Sequence, residues 1–91
     1  MDVLKSSENY FVVMKTTAYF KFTRERADRK EIKDEWIENA IHFPIREVRQ
    51  VDGRFKRWTQ IEEAGGRYLR VIVLEDGETV HNAFFDRNFK R

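Results

Sequence analysis

RYLRVIVLEDGETVHNAFFDRNFKR, residues 67–91, is the stretch on which the fold turns. From Leu69 to Leu74 it is nearly continuous in apolar side chains, the pattern of a central strand covered on both faces. Asp76-Gly77 then interrupts it, because glycine accepts at little cost the left-handed backbone of a tight hairpin. A further strand follows to Phe85 and runs into a basic-aromatic tail. Working outward, Ala64-Gly65-Gly66 and Asp52-Gly53 mark two more turns. The chain between these turns predicts four strands, residues 45–51, 54–62, 67–75 and 78–85. Strands joined by successive hairpins form an antiparallel meander.

Upstream the period changes from strand-like to helical. Ile32, Trp36, Ile37, Ala40 and Ile41 recur at helical spacing and make one apolar stripe. Asp28 is a candidate N-cap with Glu31 as its capping-box partner, and Pro44 ends the helix. Before it, residues 17–22 (TAYFKF) alternate weakly and suit a short N-terminal strand. Residues 1–8 (MDVLKSSE) read as a polar leader and the apolar 9–15 (NYFVVMK) as a strand or a docking segment for a partner, together an N-terminal leader over 1–16. The expected architecture is α+β: one long helix packed on a four-stranded antiparallel meander sheet, with room for the short extra strand, all in a single domain over 17–91. One helix covers one sheet face, so the other face is expected to be partly open.

Composition excludes several classes of function. The 91 residues contain no cysteine, which rules out disulfides, thiolate chemistry and cysteine metal sites. No apolar run approaches a membrane span and no signal-peptide pattern opens the chain, so a cytoplasmic protein with no membrane partner is expected. The 18 Lys and Arg nearly balance 16 Asp and Glu, leaving a formal charge of +2. Placement of charge therefore says more than its sum. Basic residues cluster at 54–57 and again at the C-terminus.

Strand alternation assigns the candidate site residues to faces. Thr79, His81, Ala83 and Phe85 are expected on one face, and Val80, Asn82 and Phe84 on the other. Tyr68, Arg70, Ile72 and Leu74 share a face of the preceding strand. Arg70, in the middle of an apolar strand, needs a carboxylate such as Glu47 or Asp86, or else an anionic ligand. His81 reads either as a satisfied core residue or as a proton-transfer group, since its ordinary pKa suits acid-base work near neutrality. His42 suits the end of the helix, where a cation favours the dipole. Lys56, Arg57 and Trp58 interleave basic and aromatic side chains, a combination that suits RNA, with Trp58 read as core or as a base-stacking platform. Asp86-Arg87 and Lys90-Arg91, after the last strand, read as tail, salt bridge or phosphate clamp. There is no metal-spaced cluster, P-loop, dinucleotide fingerprint or marked serine nucleophile.

The order of a helix, a proline, then VRQVDGRFKRW and GGRYLRVIVLEDGETVHNAFFDR resembles the small BrnT-like and RelE-like proteins, and most of all an uncharacterised family allied to those toxins. The likeness spans Tyr19 to Lys90. Asp52-Gly53-Arg54, Leu69-Arg70-Val71 and the run from Thr79 to Arg87 carry it; the helical part is generic. Where many members of the allied family have a histidine before the helix, this chain has Phe20-Lys21-Phe22-Thr23. The resemblance implies a toxin-like ribonuclease of a type II toxin-antitoxin pair, acting on RNA without metal or other cofactor, with an antitoxin protein as partner. In such an enzyme a 2′-hydroxyl attacks the adjacent phosphate while a base takes its proton and cations hold the charge. On that reading His81 is the acid or base. Arg57, Arg70 and Arg87 hold the phosphate, Lys56 assists and Trp58 stacks on a base. A non-catalytic nucleic-acid-binding module and a protein-interaction domain are the competing classes.

Overall fold

The computed structural model describes residues 14–91. Most of the stretch expected as a leader or docking segment, up to residue 13, lies outside the described residues. Two helices, α1 (Ala18–Thr23) and α2 (Asp34–His42), precede strands β1 (Arg46–Arg49), β2 (Phe55–Ile61), β3 (Arg67–Val73) and β4 (Val80–Phe85). The sheet runs in the order β1-β2-β3-β4 and is antiparallel throughout. The α+β class and the four-stranded meander are as expected.

The long helix is not. α2 has nine residues, about 14 Å at 1.5 Å per residue, and its N-cap is Lys33 rather than Asp28. The residues that looked like a capping box form turns instead. Arg29 reaches across to Asn82, and Arg24 pairs with Asp34 in the first turn of α2. Ile32 still enters the core, as an anchor ahead of the helix rather than its first ridge. Nor do residues 17–22 form a strand. Thr17 is extended, and its side chain accepts the N–H of Phe20, so it caps α1. What remains of an N-terminal strand is a single parallel bridge between Thr16 and Val80.

Both helices pack on one face of the sheet, α2 over β2 and β3 and α1 over β4. The core between the layers is Phe20, Ile32, Ile37, Ala40, Ile41, Ile61, Leu69, Val71, Val73, Val80 and Ala83. Trp36 is only half-buried. It meets Phe85 edge-on and donates its indole N–H to Glu63, so the stripe is narrower than its sequence spacing suggests. Leu69, Val71 and Val73 are buried and alternate with half-buried Arg70 and Ile72, so β3 is covered on its helix face only and not on both faces as its apolar run suggested.

The two Asp-Gly turns are longer than two-residue hairpins. Gln50 donates to Arg54 O while Gly53 donates to Gln50 O, which leaves Gly53 at φ +93°. A side chain there would be strained, and a Cβ would meet the Glu75 side chain at 2.5 Å. In the β3–β4 turn the Asp76 carboxylate accepts the N–H of Glu78, the N–H of Thr79 and the Thr79 hydroxyl. With the Thr79 hydroxyl foremost, these bonds lower the Asp76 pKa to about 2.

β4 carries the irregularity that matters most for the site. Ile72 faces Asn82, but Val73 faces Val80, so His81 is an extra residue in a bulge. The bulge breaks the alternation expected from sequence. Val80 joins Ala83 in the core, although two-residue periodicity sets them on opposite faces. His81 is displaced toward α1.

Candidate functional site

The six sequence-predicted residues separate into three places. Arg57 projects on the helix side of the sheet and Trp58, its neighbour in β2, on the open side. The Arg57 Nε donates to Glu47 at 2.6 Å, and its Nη1 donates to the carbonyls of Ile41 and Gly77. It ties β1, α2 and the β3–β4 turn together, and one phosphate cannot meet both Arg57 and Arg70.

His81 forms the second place. Its Nδ1 lies 3.1 Å from the Thr17 hydroxyl, and the Tyr19 ring stacks on it at 4.9 Å. Burial, and then the positive charge of Arg54, hold the imidazole below the ordinary histidine range. The folded state therefore prefers a neutral ring. A depressed pKa adds stability that is complete above the unfolded value, about 6.5, and lost as pH falls through the folded value. The denaturation midpoint should thus drop between about pH 7 and pH 5. His81→Gln, which gains no proton, should flatten that limb; an unchanged slope in this variant would assign the effect to other groups.

Arg70, Trp58 and Lys56 lie on the third place, the open sheet face. Here the register sets Arg46 opposite Trp58, Trp58 opposite Arg70 and Arg70 opposite Phe84, one residue from each strand. Arg29 continues the row beyond Phe84, and Phe89 covers its other half. The Arg29 guanidinium lies 5.3 Å from the Phe84 ring centre, and Arg70 lies 5.1 Å from Phe84 and 5.6 Å from Trp58. Phe89, from the tail, stacks on Trp58 at 5.1 Å and carries Arg46 at 4.9 Å from its centre. Guanidinium and ring thus alternate across the whole sheet. Each such contact contributes roughly 0.5–1 kcal/mol where exposed and more where water is excluded.

Asp86 holds the middle of this row. Its carboxylate accepts the Trp58 indole N–H at 2.9 Å and lies 3.5 Å from Arg70 Nη1. Of the two carboxylates expected for Arg70, this is the one it uses; Glu47 belongs to Arg57. Burial raises the Asp86 pKa, but the Trp58 and Asn88 N–H groups and the Arg70 charge outweigh it, and the carboxyl sits below its usual range. The Nε groups of Arg70 and Arg29 are buried with no hydrogen-bond acceptor.

Lys56 lies one row away, paired with Val48 and Ile72. Arg87 is exposed and, with Arg67, Tyr68, Phe85, Asp86 and Phe89, lines a groove of about 240 Å³ at the edge of the same face. Trp58 is only 7% exposed and covered by Phe89, so no base can stack on it while the tail is in place. Sequence reasoning missed Arg29, Arg46, Phe84 and Phe89. Arg46 and Phe84 become visible once the register is known. Arg29 and Phe89 come from loop and tail, where periodicity carries no signal.

Fold and face together define a two-layer α+β domain with a basic-aromatic open sheet. Comparison with protein-family models, curated proteins and solved structures finds no match to this chain. Among the described residues no helix is long and apolar enough to cross a membrane.

Proposed function

We propose that this domain binds single-stranded RNA in the cytoplasm across its open sheet face. The observation that carries the reading is the cross-strand row Arg46, Trp58, Arg70, Phe84, with Arg29 beyond Phe84 and Phe89 lying over Trp58 and against Arg46. Single strands are bound by grooves that combine backbone-tracking cations with aromatic platforms. Rings beneath the guanidiniums hold their planes fixed, so the forked N–H groups that phosphate requires are already oriented. Tyr68 and Phe89, in contact with each other and half-buried at the groove, supply surfaces for bases.

Fluorescence anisotropy with a labelled 12-nucleotide RNA tests this. Phosphate contacts at Arg46, Lys56 and Arg70 correspond to a log-log salt slope of roughly −2 for a single strand. Arg46→Ala and Lys56→Ala should each weaken binding and make the slope shallower by about 0.7. Absence of binding at low salt, or affinity unmoved by either substitution, overturns the reading.

A second reading is the toxin-type ribonuclease, and the neutral, part-buried His81 beside Arg54 favours it. Because Arg57 and Arg70 face away from one another, this reading rests on His81 acting with Arg54 rather than with those two. Incubating the same RNA with the protein in EDTA decides it. Cleavage slowed about a hundredfold by His81→Ala would support it, in line with the usual size of acid-base effects. RNA that is bound but stays intact would leave the non-catalytic module and remove the enzyme.

A further inference from the structure

The two edges of the sheet differ. Lys15 and Thr17 hydrogen-bond to Val80 at the edge of β4. Among the described residues nothing pairs with the outer edge of β1, and all four of its residues are exposed. Such an edge is a row of unsatisfied N–H and C=O groups. The hairpin shows which ones they are. Gln50 donates to Arg54 O at 2.7 Å, and the register runs back from that pair through Val48–Lys56 to Arg46–Trp58. In an antiparallel ladder, bonded and non-bonded pairs alternate. Arg46, Val48 and Gln50 therefore direct their main-chain groups to β2, and Glu47 and Arg49 direct theirs outward.

We infer that this edge pairs with the same edge of a second copy, antiparallel about a two-fold axis at Val48. Outward-facing residues alone can exchange bonds, so within this strand the axis of a symmetric pairing falls at Glu47, Val48 or Arg49. The first choice sets Glu47 against Glu47, and the last sets Arg49 against Arg49. Like charges directly opposite are destabilising. With the axis at Val48, Glu47 meets Arg49 on both sides and Arg46 meets Gln50. Val48, itself exposed, meets its own copy in a non-bonded pair, where side chains come closest. Ile45, whose N–H bonds to Trp58 O at 2.8 Å, lies outside this ladder. The run from Arg46 to Gln50 is complementary to its own reverse. Glu47 gives one carboxylate oxygen to Arg57 and keeps the other for the partner's Arg49. Residues that oppose each other across such a pair share a sheet face, so both open faces lie on one side of a continuous sheet. The pairing stands whether or not that face binds RNA.

Sedimentation equilibrium of the full chain over about 1–500 µM, a span bracketing micromolar to sub-millimolar affinity, should show the mass rising toward two copies. Arg49→Glu sets two like-charged pairs in place of two opposite ones and should weaken association roughly tenfold. The chain has no cysteine, so single-cysteine variants report unambiguously. Val48→Cys should cross-link across the axis under mild oxidation far faster than Lys30→Cys, an exposed position on the loop before α2. A native chain that keeps the mass of one copy throughout overturns the proposal, as does one whose edge pairs with a different polypeptide instead. A dimer that ignores Arg49→Glu and cross-links no faster at Val48 than at Lys30 also overturns it, since it must use another surface.

Discussion

Replacing Asp86 with alanine should cost about 3 kcal/mol of folding stability, the usual scale for removing one partner of a buried ion pair. Three donors depend on this one carboxylate: the Trp58 indole N–H, the Arg70 guanidinium and the Asn88 main-chain N–H. Its removal leaves the indole unsatisfied beneath Phe89 and the guanidinium without counter-charge on a half-buried face. Arg70 keeps about a quarter of its side-chain surface in water, so the loss belongs at the lower end of the buried range. Asp86→Asn preserves the shape and one acceptor oxygen and should cost less than alanine; it removes the charge and also one acceptor, because the Trp58 indole N–H and the Asn88 N–H use different carboxylate oxygens. The pH dependence gives an independent check. Because the folded Asp86 pKa is depressed, its contribution is complete above the ordinary carboxylate value, about 3.9, and disappears as pH falls through the folded value. The asparagine variant should therefore lose less stability than the native chain on acidification below about pH 4. Denaturant midpoints of the three proteins at pH 7 and pH 3 decide the matter. If Asp86→Ala costs under about 1 kcal/mol, within the range of exposed pairs, the central ion pair does not hold the row together.

The sheet was legible because its signals are local and redundant. Asp52-Gly53 and Asp76-Gly77 mark the turns, and the apolar run from Leu69 to Leu74 marks the central strand; observed boundaries fall within two residues of those expected. The same alternation grouped Arg70 with Tyr68 and Ile72, while the choice between helix face and open face needed the packing of Leu69, Val71 and Val73 against the helices. The helical half was harder for a physical reason. Asp28 and Glu31 have capping chemistry, but a capping bond contributes only about 1 kcal/mol. Arg29 gains more by crossing to Asn82 and Phe84, and the chain from Arg24 to Ile32 follows it. In the same way Thr17, a good N-cap, started a helix where weak alternation suggested a strand. Its signal was the hydroxyl three residues before Phe20, and the burial of Phe20 and Thr23 on one helical face agrees with it.

The site was legible residue by residue but not as an assembly. Arg57, Arg70 and His81 are sequence neighbours of the right turns, yet two-residue alternation separates the first two and a bulge displaces the third. A bulge has no composition of its own, so nothing in Glu78 to Phe85 announced it. The row on the open face was hidden for the opposite reason. Arg46, Trp58, Arg70 and Phe84 are 12 to 14 residues apart, and only the pairing register reveals that they are adjacent.

Leu69→Ala should be the most damaging single truncation, with a loss of about 2–5 kcal/mol. Leu69 is fully buried in the central strand, between Thr59 of β2 and Phe85 of β4, in the cluster that includes Ile37 and Ala40. Part of the cost is the lost transfer of its side chain from water; the rest is the cavity that its strand-bound neighbours cannot close. A domain of this size has only about 5–15 kcal/mol of stability, so the change removes a large share of it. Ile72→Ala, three residues along the same strand, deletes a side chain of similar size from the open face, where it is half-buried between Lys56 and Asn82. It should cost only about 1 kcal/mol, near the centre of ordinary substitutions. Urea unfolding with an unchanged slope reports this difference directly. Equal losses from the two variants would mean that both faces of β3 are closed to water, and a sheet closed on both faces has no open side on which to bind RNA.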